Sequence, residues 1–211
     1  MSRIGFFFFQ FLPPRWINPV LRIPRPAGVI VLVSLILKGS LISLNAAEYT
    51  DGIIQLRLWE SPVVFFAPGF SLLASAVGLL TGDELLAGRL VSILASVITL
   101  ILFYRLAGLV LNNEKEAFWA TLFLALSPVF NRWSLRVMTD SLFLMFFTLC
   151  AYHYAALRLN PRQSPFRLLG WTGVASLVRY QGLFFLPFAL FWVWKRKESW
   201  NQAKTFRPRA G

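Results

Sequence analysis

Charge, cysteine and histidine are all scarce in this sequence of 211 residues, and each shortage excludes something. Charged residues make up 14%, where a soluble domain carries about 25%. The single cysteine, Cys150, rules out a disulfide framework within the chain. The single histidine, His153, lies three residues further on. One thiol and one imidazole cannot complete a tetrahedral metal cage, and both sit in an apolar run, where burial in helix packing is the simpler role. What the chain has instead is apolar length. Hydrophobic residues make up 57% and mean hydropathy is +0.62. Leu90–Tyr104 contains no charge, and Gly28–Leu44 is broken only by Lys38. Such runs approach the ~20 residues that cross a ~30 Å hydrocarbon layer. In lipid they must be helical, because a helix satisfies its own backbone groups. The expected fold is therefore an all-α polytopic membrane protein.

The net charge is +12. The cations flank the apolar runs, where the positive-inside rule places them, so the bilayer is the expected partner and nucleic acid is not. Arg3 and the Phe6–Phe9 run resemble a short signal segment, but Pro13-Pro14-Arg15 stops it and no small-residue cleavage pattern follows. Residues 1–27 read as a basic cytosolic leader carrying Arg3, Arg15, Arg22 and Arg25.

Six spans are expected within a membrane module of residues 28–195: Gly28–Asn45, Leu90–Leu111, Ala117–Phe130, Ser141–Leu157, Leu168–Val178 and Gly182–Trp194. Asn131–Asp140 reads as a polar hinge. Residues 196–211 form a basic polar tail. Pro62–Leu80 is apolar enough to make a seventh span, which would invert everything after it. Charge decides between the two counts. With six spans, the leader, Lys115, the Arg158–Arg167 loop and the tail share one side, as the positive-inside rule requires. Pro62–Leu80 is then interfacial helix within a first outer loop, 46–89, broken at Pro68-Gly69. Both termini are cytosolic. The outer face collects Glu48, Asp51, Arg89, Arg132, Arg136, Asp140 and Arg179 among its charges.

Three outer constellations have two readings each. Glu48 and Asp51 follow the first span. Either is a candidate general base, since a low-dielectric boundary raises a carboxylate's pKa, or both are ordinary first-turn acids of a helix. Arg132, Arg136 and Asp140 recur at i, i+4 and i+8, so one helix face can hold an anion clamp with its counter-ion. The alternative is a snorkelling pair with a plain salt bridge. Arg179 interrupts two short apolar helices on the side the positive-inside rule should have cleared of cations, which favours a polar-site role over that of a loop arginine.

In order, these pieces resemble the GT-C glycosyltransferases, specifically bacterial relatives of the protein O-mannosyltransferases and of the lipid A aminoarabinose transferase. The matching stretches are Glu48-Tyr49-Thr50-Asp51-Gly52, Ala67-Pro68-Gly69-Phe70, Gly88–Ser92, Ala125–Pro128, Arg136–Phe143 and Leu177–Gly182. The resemblance covers residues 28–195, and order and spacing carry it more than any one motif. It implies sugar transfer from a polyprenyl-phosphate carrier, the lipid-linked donor, to an acceptor on the non-cytosolic side of a bacterial inner membrane. It implies Glu48 or Asp51 as base, Asp140 as a second outer-loop acid, Arg179 at the leaving phosphate with Arg132 or Arg136 assisting, and Tyr49 beside the substrate. Two departures stand out. Asn45 occupies the place where the family usually has its first Asp. Family members are also two or more times longer, so the chain corresponds to an N-terminal half, and a second membrane chain supplying further spans is an expected partner. The competing readings are a non-catalytic polytopic subunit or degenerate fragment, and a transporter fragment. A transporter would place polar or broken helices near the midplane, whereas here the ionisable residues cluster at the outer edge, with Lys38 the main exception.

Overall fold

The computed structural model describes residues 24–41, 48, 50–58, 66–160 and 163–205, with side chains as far as 196. Tyr49, Asn45, residues 59–65, most of the leader and the last six residues lie outside the described set. Among the described residues all regular structure is helical: α1 Arg25–Leu41, α2 Thr50–Leu56, α3 Gly69–Thr81, α4 Glu84–Leu111, α5 Glu114–Leu126, α6 Pro128–Ser134, α7 Thr139–Leu159, α8 Phe166–Val178, a 3-10 segment Tyr180–Phe185, and α9 Leu186–Thr205. Among the described residues, each segment expected to span contains helix. Two helices, α4 with 28 residues and α7 with 21, are long and apolar enough to cross a membrane.

Local chemistry sets the boundaries. Asp83 caps α4, its Oδ1 accepting from Leu85 N at 2.8 Å and Leu86 N at 3.0 Å. Asn113 caps α5 in the same way. Each satisfies backbone donors that a helix start leaves orphaned. The expected span Ala117–Phe130 is broken in the structure. Pro128 has no N–H to continue α5, so α5 stops at Leu126 and Ser127 caps the short α6. The expected hinge at Asn131–Asp140 is correspondingly shorter, because its first four residues belong to α6.

Small polar residues share the buried interior with the apolar core. Ser92, Ser96, Thr99, Thr121 and Thr172 are buried, while Leu94, Ile98 and Phe123 on the same helices are exposed, Phe123 at 72%. The buried threonines satisfy themselves locally: Thr99, Thr121 and Thr172 each donate to the carbonyl four residues back, at 2.7–2.8 Å. Small polar residues let helices approach closely where lipid tails cover the outside. Two apolar clusters share α4. One joins α2, α3, α4, α7, α8 and the start of α9. The other joins α1, the second half of α4, α5 and α6.

One end of this bundle gathers residues that the sequence pattern assigns to the outer loops. α3 begins against the last turn of α8: a Cβ on Gly69 would lie 2.6 Å from the Leu177 carbonyl oxygen. It closes at Gly82 beside the start of α4. Both attachments are at the end where α4 and α7 begin. α2 is seated there too, since a Cβ on Gly52 would lie 2.1 Å from the Val137 carbonyl oxygen. Gly52→Val is therefore expected to push α2 off the bundle and cost about 1–3 kcal/mol, the usual scale of overpacking. A melting curve of the purified variant in detergent checks it; an unchanged midpoint would mean α2 is not held at this point.

Candidate active site

Glu48 is the residue around which this end is built. One carboxylate oxygen accepts from Arg89 Nε at 2.6 Å, and the other accepts from the Val137 backbone N–H at 2.9 Å. Its side chain is only 5% exposed. Charge-assisted bonds of this kind are the strong ones. Together they tie the chain after α1 to the first turns of α4 and to the connection before α7. Ser92 Oγ, one turn beyond Arg89, donates to the Met138 carbonyl at 3.4 Å, which closes the same junction.

The Val137 bond also explains a correction. Arg132, Arg136 and Asp140 do not share a helix face. Arg132 is on α6, Arg136 lies in the connection, and Asp140 is in the first turn of α7. In a continuous helix the Val137 N–H would bond the Trp133 carbonyl. Here Glu48 takes that donor and the helix ends at Ser134.

Asp140 is ion-paired with Arg179: Arg179 Nη1 donates to Asp140 Oδ1. Both side chains are about one-third exposed, 32% for Asp140 and 38% for Arg179, so the pair faces open space. Arg179 follows the last residue of α8 in extended backbone, before the 3-10 segment. Its guanidinium lies 6.0 Å from the Phe143 ring, within cation–π range. Asp51 is in the first turn of α2 and exposed. Because Gly52 beside it is seated on Val137, Asp51 belongs to the same end as Asp140 and Arg179. Tyr49 lies outside the described residues.

Arg132 and Arg136 face elsewhere. They border an open groove of about 380 Å³ walled by Leu37, Leu41 and Leu126 and reached also by Asn131. Among the described residues no carboxylate lines it.

Residues 66–207 match the family of the dolichyl-phosphate-mannose-protein mannosyltransferases. The chain belongs to this family. No curated protein and no solved structure matches it. Membership implies a membrane glycosyltransferase of the GT-C type. It also divides the site: Arg89, Asp140 and Arg179 fall inside the matched region, whereas Glu48 and Asp51 precede it. Arg89, one of the outer charges to which sequence alone assigns no role, is the partner of Glu48. The signal for it is a cation directly before the uncharged run Leu90–Tyr104, where an arginine needs a partner.

Proposed function

We propose that this chain transfers a sugar from a polyprenyl-phosphate carrier to an acceptor hydroxyl at the non-cytosolic face of a bacterial inner membrane. The observation that carries the reading is the assembly of Asp51, Asp140 and Arg179 at the end of an apolar bundle where Glu48 joins α4 to the start of α7. A lipid-linked donor needs a membrane-level site, and the exposed apolar flank of α4, with Leu86, Leu94 and Ile98, supplies one. Its phosphate leaving group needs a cation. Arg179 is that cation, held in orientation by Asp140. The acceptor hydroxyl needs a base, and Asp51 is better placed than Glu48. Both oxygens of Glu48 are committed, so taking a proton would break a bond that organises the site. Asp51 is exposed beside it. A direct displacement with one base gives inversion at the sugar and needs no covalent intermediate.

The topology that serves this reading has six crossings, α1, α4, α5, α7, α8 and α9, with α2, α3 and α6 at the outer interface. The 13 residues of α8 reach only ~20 Å at 1.5 Å per residue, so the bilayer thins or the helix ends below the surface. The domain limits follow, with residues 28–195 forming the membrane module between a cytosolic leader and tail. Cysteine labelling in a Cys150→Ala background tests this. Gln163→Cys is expected to react with an impermeant maleimide only after the membrane is opened, and Asp51→Cys from outside the intact cell. Labelling of position 163 in intact cells would overturn the six-crossing arrangement.

The donor class has its own test. Washed membranes containing the chain are expected to transfer label from a polyprenyl-phosphate sugar without added nucleotide sugar. Transfer from the nucleotide sugar alone, in membranes depleted of the lipid carrier, would contradict the reading.

A further inference from the structure

Lys38 is 2% exposed on α1. Its Nζ donates to Ser34 Oγ at 3.0 Å and to Asn131 Oδ1 at 2.9 Å, and lies 4.7 Å from the centre of the Phe130 ring. All three partners are neutral. Burying a lysine among neutral groups is costly, and a leucine in its place would bury more easily. What a leucine lacks is the directed bond to Asn131. That amide is itself buried, 4% exposed, and its Nδ2 donates to the Ala125 and Ser127 carbonyls, at 2.8 and 3.0 Å. Ala125 lies in the last turn of α5, where a helix end leaves carbonyls without partners. Lys38, Asn131 and Ala125 therefore tie α1, α6 and α5 together at the break that Pro128 makes.

The stretch from Pro128 to Met138 bridges α5 to α7, and it is gripped near both ends. Lys38 holds Asn131 near its beginning, and Glu48 holds the Val137 N–H near its end. The two grips differ in what supports them. Val137 is fully buried, and a Cβ on Gly88 would lie 2.8 Å from its Cγ1, so close packing secures that end as well as hydrogen bonding. Near Asn131 the open groove is lined by Leu37 and Leu41 of α1 and by Leu135 and Arg136 of the bridge. Open space there interrupts the packing of α1 on the bridge, and the buried Lys38–Asn131 bond is what crosses from one to the other. Beyond Val137 the bridge leads directly into α7 and Asp140.

We propose that Lys38 is a positioning residue for the candidate active site: through Asn131 it fixes where the bridge starts, so that Val137 meets Glu48 and Asp140 meets Arg179. Lys38 acts at a distance, through the Asn131 amide and the backbone that follows it. The positioning role rests on the sugar-transfer reading, whereas the mechanical link from Lys38 to Val137 does not, and each has its own measurement.

The test compares the full wild-type chain in nanodiscs with Lys38→Met, Asn131→Leu and Ile30→Ala, the last removing apolar packing from a fully buried position on α1. Hydrogen exchange read by mass spectrometry follows residues 135–138, which include the Val137 N–H. Lys38→Met is expected to raise exchange there at least about tenfold, the scale of one lost hydrogen bond, while the middles of α4 and α7 keep their protection. Its sugar transfer per folded molecule is expected to fall about 10- to 100-fold, the scale of a misplaced reacting group, in kcat rather than in KM for the lipid donor. Adding Lys38→Met to Asn131→Leu should cost nothing further. Ile30→Ala is expected to lower the melting temperature and to leave both exchange at 135–138 and transfer per folded molecule unchanged. Unchanged exchange at 135–138 in Lys38→Met, or an equal rise in Ile30→Ala, would overturn the proposal, and so would raised exchange with undiminished transfer. If Lys38→Met fails to fold, Asn131→Leu against Ile30→Ala decides in its place. No transfer by the wild-type chain would contradict the sugar-transfer reading itself; a local rise at 135–138 would then still support the link from Lys38 to Val137, and its absence would overturn it.

Discussion

Asp51→Asn is expected to lower sugar transfer by about 10²–10⁴-fold, the ordinary contribution of a general base, with little change in melting temperature. Asp51 is exposed in the first turn of α2, so exchanging carboxylate for amide removes proton-accepting capacity and little packing. Glu48→Gln is expected to behave in the opposite way. The amide oxygen can still accept from one donor, but the charge facing Arg89 is gone, and Arg89 is left with its side chain only 22% exposed. Losing one partner of a largely buried, charge-assisted contact costs about 1–3 kcal/mol. The Glu48 variant should therefore melt lower and accumulate less. Its rate per folded molecule should fall less than that of the Asp51 variant. Rates measured on purified, melting-checked protein separate the two. If Glu48→Gln is the slower enzyme at unchanged stability, the base is Glu48 and its hydrogen bonds rearrange on acceptor binding.

Arg179→Ala carries the other large effect. Removing a donor that meets developing negative charge costs on the order of 3 kcal/mol, by analogy with oxyanion-site deletions, which is about 100-fold in rate. The loss should appear in turnover of the lipid donor more than in acceptor affinity. Arg179→Lys should recover only part of it, because an ammonium cannot present the fork of a guanidinium to Asp140 and a phosphate together. Asp140→Asn supplies the comparison. If Asp140 only orients Arg179, this variant should lose less than Arg179→Ala, and the double variant should lose no more than the arginine variant alone. Additive losses, measured as a double-mutant cycle, would give Asp140 a separate contact with substrate.

Much of the helical layout is legible from the chain because apolar runs and stop signals are local. Asp83 and Asn113 stand where α4 and α5 start, and Pro128 breaks the run that sequence alone joins from Ala117 to Phe130. The contacts that build the candidate site are not local. Glu48 reaches Arg89 and Val137, 41 and 89 residues away, and no periodicity encodes such a pairing. That bond also misled the spacing argument: Arg132, Arg136 and Asp140 have helical spacing, yet Glu48 takes the Val137 N–H on which a continuous helix depends. Lys38 was visible as the one charge in an apolar run. Its neutral partners Ser34 and Asn131 were not, because Asn131 acquires its position from the turn between α5 and α6.

Sugar transfer from a lipid carrier at the proposed outer end of this bundle is the central claim. The direct measurement is transfer of radiolabelled sugar from a polyprenyl-phosphate donor by membranes containing the wild-type chain, Asp51→Asn or Arg179→Ala, at matched protein levels. The expected result is transfer by the wild-type chain that falls by at least about 100-fold in each variant. Wild-type transfer retained in full by both variants, or no transfer by the wild-type chain even beside a second chain supplying further spans, would contradict it and leave a non-catalytic membrane scaffold in its place.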